Sequence, residues 1–176
     1  MRTKKNILIT GPPGIGKTTI MKKLAQMLKD TGPVGFYTAE IREGGVRRGF
    51  ELVGLNGRKG LLSHIDIKSP NHVGRYGVDI RGFEIFLDAL ALTDPNAGLL
   101  LIDEIGKMEC LSQRFKTVVR TVLDSGNAVI ATIALNGPGF IAEVRGREDA
   151  MLFEMTLENR DSLAEEILRH VKTSYD

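Results

Sequence analysis

Residues 6–18 read NILITGPPGIGKT, and this stretch decides how the chain begins to fold. The first five residues are mostly apolar and predict a short buried strand. The next eight fit the pattern G-x-x-x-x-G-K-S/T, in which a glycine-rich loop joins a strand to a helix. A helical stripe follows and ends at Gly32 and Pro33; it consists of Ile20, Met21, Leu24, Met27 and Leu28. The stretch therefore predicts a strand, a phosphate-binding loop and a helix in succession.

The fixed positions of this loop each have a chemical role. Its glycines let the backbone wrap around phosphates and turn successive N–H groups inward. The helix that begins near Gly16 adds the partial positive charge of its N-terminus. Lys17 is expected to reach the β- and γ-phosphates, and the Thr18 hydroxyl to ligate Mg²⁺. The loop therefore predicts where a nucleoside triphosphate binds, but not what happens to it.

The rest of the chain alternates between β and helical patterns. Short β runs at 36–42 and 46–55 are separated by a Glu43-Gly44-Gly45 hairpin signal and predict a small antiparallel meander. After it we predict a helix over 80–90, a strand at 99–102, a helix over 111–123, a strand at 128–133, a short helix near 140–144, a strand at 151–155 and a helix over 163–171. We therefore predict a three-layer α/β P-loop NTPase fold with a mainly parallel sheet and residues 1–176 in a single domain. The acidic pair Asp103-Glu104, which follows the strand at 99–102, indicates the RecA-like, acidic-pair branch of this fold.

The composition of the chain limits the classes of protein to which it can belong. The 176 residues carry a formal net charge of +2, and Lys and Arg are spread along the chain. This distribution favours a solvated surface over a nucleic-acid-binding stripe, although it does not exclude nucleic acid. The single Cys110 excludes an internal disulfide framework and fits a reducing compartment. The longest apolar run, 99–102, is too short to span a membrane, and no signal-peptide pattern opens the chain. We expect a cytoplasmic monomer without a membrane partner.

An acidic pair, Asp103 and Glu104, follows the most apolar predicted strand. Asp103 is expected to hold Mg²⁺ through water, the alternative being an acidic N-cap after a core strand. Glu104 is well placed to orient or deprotonate a water that attacks the γ-phosphate, the alternative being a surface acid at a loop mouth. In the first of these roles, Glu104 makes the pair favour hydrolysis over transfer to an acceptor. Thr132 ends another predicted strand, where it either contacts the γ-phosphate or the attacking water or is an ordinary β-former.

Residues 103–109 read DEIGKME, and with this segment the chain resembles the small THEP-type nucleoside triphosphatases. The resemblance extends to GFYT at 35–38, EIR at 40–42, RGF at 48–50, YGV at 76–78 and NRD at 159–161. It implies Mg²⁺-dependent hydrolysis of nucleoside triphosphates to diphosphates with little base preference. It also implies that the DEIGKM segment faces the nucleotide together with the P-loop.

These arguments give one set of site residues. Lys17 and Glu104 are predicted to be catalytic, and Thr18 and Asp103 to bind the metal. The residues that we expect to bind the nucleotide are Gly11, Pro12, Pro13, Gly14, Ile15, Gly16, Lys17, Thr18, Thr19, Leu101, Ile102, Asp103, Glu104, Ile105, Gly106, Lys107 and Met108.

Other polar residues have no firm assignment. An arginine that neutralises the γ-phosphate would accelerate hydrolysis, and the candidates are Arg75, Arg81, Arg145, Arg147 and Arg160, with Lys107 as an alternative cation. Because no arginine finger is evident, we predict slow hydrolysis. Asn159 either caps the last helix, which is favoured, or touches the base. The three histidines lack metal-ligand spacing, so no transition-metal site is predicted.

Two other functions are consistent with the loop. A small-molecule or nucleotide kinase shares the P-loop, the size and the sheet, but the acidic pair and the lack of an Arg-rich lid count against it. A nucleotide-switched module that binds nucleic acid or protein could use the β-rich segment 34–64 as a docking surface. The chain is too short for the additional helical domain of larger ATPase rings.

Overall fold

The computed structural model describes residues 4–175. Its strands are Asn6–Thr10 (β1), Val34–Glu43 (β2), Val46–Gly54 (β3), Lys59–His64 (β4), His72–Val73 (β5), Tyr76–Val78 (β6), Leu99–Ile105 (β7), Ala128–Ile133 (β8) and Ala150–Glu154 (β9). Its α-helices are Lys17–Met27 (α1), Ile80–Asp88 (α2), Gln113–Asp124 (α3), Phe140–Arg145 (α4) and Leu163–Tyr175 (α5). Short 3₁₀ turns occupy Lys29–Thr31 and Glu109–Leu111.

The strands of the described range form one nine-stranded sheet in the order β5-β6-β4-β3-β2-β7-β8-β1-β9. Strands β2, β7, β8, β1 and β9 are parallel, whereas β3 to β6 continue the sheet in antiparallel pairing. The predicted meander is therefore present, but it is joined to the parallel sheet through β2 rather than set apart from it. Strand β8 lies between the P-loop strand and the acidic strand, as is usual for a hydrolytic P-loop sheet.

Apolar side chains cover both faces of the sheet, as a buried parallel sheet requires. In β7, Leu99 and Leu101 pack towards α1 and α5, whereas Leu100 and Ile102 pack towards α2 and α3. This alternation follows from the two-residue period of a strand. The result is the predicted three-layer α/β arrangement with one hydrophobic cluster in each outer layer.

Gly35 makes the junction between the two parts of the sheet possible. Its φ is +152°, and a Cβ there would collide with the carbonyl oxygen of Leu101. Strand β2 pairs in parallel with β7 at this point, where Gly35 stands opposite Leu101. Because only glycine tolerates both the backbone angle and the close approach, this position anchors the meander to the core.

Several boundaries differ from the sequence prediction. Strand β7 continues to Ile105 because it pairs with β8 beyond the acidic pair. Helix α3 begins only after Ser112, whose side chain accepts a hydrogen bond from the Phe115 N–H and caps the helix. Leu111 therefore lies in a 3₁₀ turn and is 36% exposed, and Met27 is 41% exposed at the end of α1.

None of the described helices is long and apolar enough to cross a membrane.

Candidate active site

A cavity of about 860 Å³ opens at the carboxyl ends of the parallel strands. The P-loop after β1 lines one side of it, the end of β7 lines its middle, and β2 and β3 line the other side. Parallel α/β sheets bind ligands at this edge, because the loops that follow neighbouring strands meet there.

The P-loop has the geometry of an anion site. Gly14 and Gly16 have φ angles of +79° and +114°, which favour glycine and turn the backbone around the loop. Gly16 precedes α1 without a side-chain cap, so no side chain occupies the first N–H groups of that helix. Lys17 folds over the loop, with its Nζ donating to the Gly11 carbonyl at 3.0 Å. The loop therefore presents amide donors and one ammonium group to the cavity.

Asp103 joins three elements through its buried carboxylate. Its Oδ2 accepts a hydrogen bond from the Thr18 hydroxyl at 2.7 Å, and its Oδ1 accepts one from the Thr132 hydroxyl at 2.6 Å. The side chain is nearly fully buried, and this burial raises its pKa although the hydroxyl donors oppose the shift. The Thr18 hydroxyl and the Asp103 carboxylate thus form a set of hard oxygen donors at the cavity wall, which suits a divalent cation such as Mg²⁺.

Thr132 therefore acts through Asp103. It is fully buried, and its hydroxyl is engaged with the carboxylate rather than directed at a phosphate or a water. The Thr132 hydroxyl on β8 thus fixes the orientation of the Asp103 carboxylate.

Glu104 faces Lys17 across the cavity. The closest Glu104 carboxylate oxygen lies 3.7 Å from the Lys17 Nζ, and 31% of the Glu104 side chain is exposed. Burial raises the Glu104 pKa, the Lys17 ammonium opposes this, and the Asp103 charge adds to it. The register of β7 against β8 shifts around this position, and the Asp103–Glu104 peptide bond is cis. Glu104 is thus a carboxyl group of raised basicity beside the expected phosphate site.

Glu109 is a second carboxyl group at this end of the cavity, and no site role was predicted for it. It is only 5% exposed, and burial, followed by the charge of Glu104, raises its pKa well above the ordinary value. A Cβ on Gly106 would lie 2.7 Å from Glu104 Oε1 and 3.0 Å from Glu109 Oε2. Both carboxyl groups therefore crowd the same glycine, which leaves no room for a side chain at 106.

Most predicted binding residues reach the cavity, but not all. Those that line it are Gly11, Pro13, Gly14, Gly16, Lys17, Thr18, Thr19, Asp103, Glu104, Lys107 and Met108. The side chains of Ile15, Leu101, Ile102 and Ile105 lie in the hydrophobic core. Pro12 is exposed outside the cavity wall, and Gly106 is buried behind it. Motif residues that lie inside a buried strand thus support the site without lining it.

None of the five candidate arginines lines the cavity. Arg147 pairs with Asp149 and Asp124, and Asp149 bonds to Asn6 at the opposite end of β1 from the P-loop. Arg145 comes nearest, but its Nη1 donates to the Thr10 hydroxyl and the Ala134 carbonyl. Arg75 bonds to the meander, whereas Arg81 and Arg160 are exposed. Lys107, the alternative cation, does line the cavity.

Asn159 does not cap α5 with its side chain. Its Oδ1 accepts from the Thr156 N–H, and its Nδ2 donates to the Glu154 carbonyl. The favoured capping prediction is therefore wrong, because the amide holds the loop between β9 and α5.

The described residues contain no group of three or more potential metal ligands among histidines, cysteines and acids. Cys110 is half-buried, and burial raises the pKa of its thiol to about 12.

Sequence reasoning missed the wall that the meander contributes. The cavity residues without a predicted role are Lys22, Thr38, Ala39, Glu40, Arg47, Phe50, Leu62, Val73, Glu109, Ala134, Leu135 and Asn136. The signal available was indirect, since segments 35–38, 40–42 and 48–50 already carried the family resemblance.

The chain is similar over most of its length to proteins named nucleoside-triphosphatases. A family model described as NTPase matches residues 6–168. The nucleoside-triphosphatase THEP1 of Thermotoga maritima is 44% identical, and the match covers 94% of this chain and 95% of the relative. The human cancer-related nucleoside-triphosphatase is 39% identical, with 97% and 98% covered.

Two solved structures share the fold. The crystal structure of THEP1 from Aquifex aeolicus superposes with a TM-score of 0.84 at 36% identity, covering 94% of this chain and 98% of that one. The solution structure of the human cancer-related nucleoside triphosphatase gives 0.79 at 37% identity, covering 96% and 98%. The predicted P-loop fold and hydrolysis of nucleoside triphosphates are thereby confirmed. The chain belongs to the THEP-type nucleoside-triphosphatase family and is a hydrolase that acts on nucleoside triphosphates.

Proposed function

We propose that this hydrolase is Mg²⁺-dependent and slow, accepts nucleotides with little regard to the base, and uses Glu104 to activate the attacking water. The observation that carries the proposal is the pairing of two contacts at one end of the P-loop. The Thr18 hydroxyl meets Asp103 at 2.7 Å, and the Lys17 ammonium meets Glu104 at 3.7 Å. This brings a pair of oxygen donors, a cation and a basic carboxylate to the edge where the γ-phosphate is expected.

Thr18 and Asp103 would hold the metal. Both side chains offer hard oxygens, and Thr132 keeps the Asp103 carboxylate turned towards the cavity wall. The bound Mg²⁺ would supply positive charge that offsets the charge of the phosphates. Lys17 adds a second positive charge at the same phosphates.

Glu104 would accept the proton of the attacking water. Its partial burial raises its pKa and so its basicity, while the Lys17 ammonium stabilises its ionised form. Glu109 is buried more deeply, and burial raises its pKa further than that of Glu104, so its neutral form is favoured more strongly. Protonation of Glu109 in preference to Glu104 would lower the negative charge next to a polyanionic substrate.

The slow rate and the broad base acceptance have separate support. The five arginines considered as fingers lie outside the cavity or are bonded elsewhere, so none is placed to offset γ-phosphate charge. The Asn159 amide is already bonded to the backbone of its own loop on both its oxygen and its nitrogen. It therefore has little capacity left to select a base.

Phosphate release measured with ATP, GTP, CTP and UTP, with and without Mg²⁺, tests the proposal. We expect all four to be hydrolysed at similar rates only with Mg²⁺ and without any acceptor, tending towards the rate of about 10⁻⁴ s⁻¹ known for P-loop enzymes that lack an arginine finger. Strict dependence on an added acceptor, or turnover in the absence of divalent metal, would contradict it.

A matched pair of variants completes this measurement. Glu104→Ala should retain nucleotide binding and lower turnover by about 10²–10⁴-fold, because the positioned base is lost. Glu158→Ala removes an exposed acid from the loop after β9 and should leave turnover unchanged.

Thr132→Val tests how Asp103 is oriented. The substitution keeps the shape but removes the hydroxyl that donates to Asp103 Oδ1. We expect Mg²⁺ affinity, titrated calorimetrically with a non-hydrolysable ATP analogue present, to fall by about 10–100-fold. Thr121→Val, which removes an exposed hydroxyl on α3, is the control. Equal Mg²⁺ affinity in both variants would show that Thr132 does not position a metal ligand.

Glu109→Gln tests the buried neutral acid. Because the folded-state pKa of Glu109 is raised, the unfolded chain releases this proton first, and the wild type loses stability as pH rises above 4.5. The variant has no titratable group at this position. The free energy of unfolding of the variant minus that of the wild type should therefore increase by up to about 1.4 kcal/mol per pH unit, until the pH reaches the folded-state pKa of Glu109. Denaturant unfolding at several pH values measures this difference.

Glu143→Gln is the control for sign. The Arg120 guanidinium lowers the pKa of this exposed carboxyl, so its replacement should cost a little stability at pH values above that pKa. A Glu109→Gln difference that is independent of pH would refute a neutral Glu109.

A further inference from the structure

The cavity is larger than the phosphate site, and it extends in one direction. Thr18 with Asp103, and Lys17 with Glu104, mark the end of the P-loop that faces the γ-phosphate, because the metal and the lysine both act there. The nucleoside is attached at the opposite end of the triphosphate. Space beyond Glu104 therefore lies past the γ-phosphate, where the nucleoside cannot reach.

The cavity continues into that space. It reaches Glu40 on β2 and Arg47 and Phe50 on β3. Strand β3 is four strand positions away from β1, which corresponds to roughly 19 Å at the usual spacing between strands. We call this part the distal half of the cavity and define it by Glu40, Arg47, Phe50, Leu62, Val73 and Met108.

Apolar side chains form much of the distal half. Leu62 is almost fully buried beneath it, and Phe50, Val73 and Met108 are partly buried against the core. The Phe50 ring meets Tyr76 edge-on, with a centroid separation of 5.6 Å. This fixed wall suits a flat apolar group better than a solvated chain.

The charged groups around the distal half are unbalanced. Arg42 and Arg47 both pair with Glu40, at 2.6 and 3.1 Å. Arg75 donates to the Arg47 carbonyl and to the Tyr76 hydroxyl, and no described carboxylate lies within ion-pair distance of it. Only two of these three guanidinium groups pair with a carboxylate, and both pair with Glu40. The surplus positive charge is complementary to an anion.

Arg47 is held ready for such an anion. Its Nε donates to the Tyr76 hydroxyl at 3.0 Å, and its guanidinium stands over the Phe50 and Tyr76 rings at 5.2 and 5.7 Å. The Nη2 atom donates no hydrogen bond to any of the described residues, and Arg47 lines the cavity. A guanidinium fixed in this way can donate to an incoming oxyanion with little loss of side-chain entropy.

We propose that the distal half binds a second small molecule: an amphipathic anion whose carboxylate or phosphate meets Arg47 and whose flat apolar body packs on Phe50 and Leu62. This inference rests on the proposed orientation of the triphosphate. The second ligand occupies the side of the γ-phosphate where Glu104 lies. When it is bound, the γ-phosphate faces this ligand rather than the open distal half.

Calorimetric titration of the full chain, loaded with Mg²⁺ and a non-hydrolysable ATP analogue, tests the site. The probes are phenyl phosphate and benzoate, with inorganic phosphate and benzyl alcohol as the anion-only and ring-only controls. We expect at least one of the two amphipathic anions to bind with a stoichiometry of one and more tightly than either control. Which of them binds identifies the head group.

Two variants assign the binding to Arg47. Arg47→Gln should weaken it by about 10–100-fold, because a charge-assisted hydrogen bond is lost. Arg114→Gln removes a guanidinium group on α3 that pairs with Asp88 and does not line the cavity, and should leave binding unchanged. Phe50→Leu, which retains Arg47, should weaken the aromatic anions but not inorganic phosphate.

The proposal is overturned if neither amphipathic anion binds the loaded protein, or if Arg47→Gln binds as the wild type does. It is also overturned if inorganic phosphate or benzyl alcohol binds as tightly as the tighter of the two amphipathic anions. Failure of the ATP analogue to bind would instead contradict the proposed nucleotide site. If the ATP analogue does not bind, the binding of the probes to the wild type and to Arg47→Gln is compared on the unloaded protein. Failure of the nucleotide site is thereby distinguished from failure of the distal half.

Discussion

The site depends on the buried carboxylate of Asp103. One oxygen accepts from Thr18 on α1 and the other from Thr132 on β8, so a single side chain ties the P-loop helix to two central strands. Such a group is stable in the interior only because it is hydrogen-bonded. The bonds that offset its burial also bring the Thr18 hydroxyl and the carboxylate together at the cavity wall. Structural and functional requirements therefore coincide at this residue.

Around this carboxylate, burial separates the roles of the other charged groups. Glu104 is partly exposed and faces Lys17, whereas Glu109 is buried with its pKa raised further. The meander then widens the cavity beyond Glu104 and adds Arg47 to its wall. One sheet thus carries the proposed phosphate site on its parallel part and a cationic, partly apolar pocket at its antiparallel extension.

The local parts of this arrangement could be predicted from the sequence, because a strand, a glycine-rich loop and a helical stripe are written in consecutive residues. Asp103 was identifiable for the same reason, since it follows a short buried strand. The partner of Thr132 was not, because it is 29 positions away along the chain. Nor was Arg47, because only the folding of β3 beside β2 brings it to the cavity. Ile105 shows the converse: it belongs to the motif but points into the core.

The central claim is that Lys17, Asp103 and Glu104 direct water onto the γ-phosphate. The most direct test is hydrolysis of ATP in ¹⁸O-labelled water, with both products analysed by mass spectrometry. Attack at the γ-phosphate predicts one ¹⁸O atom in the released phosphate from each single turnover and none in the ADP. Label in the ADP, or no labelled phosphate at all, would contradict the account.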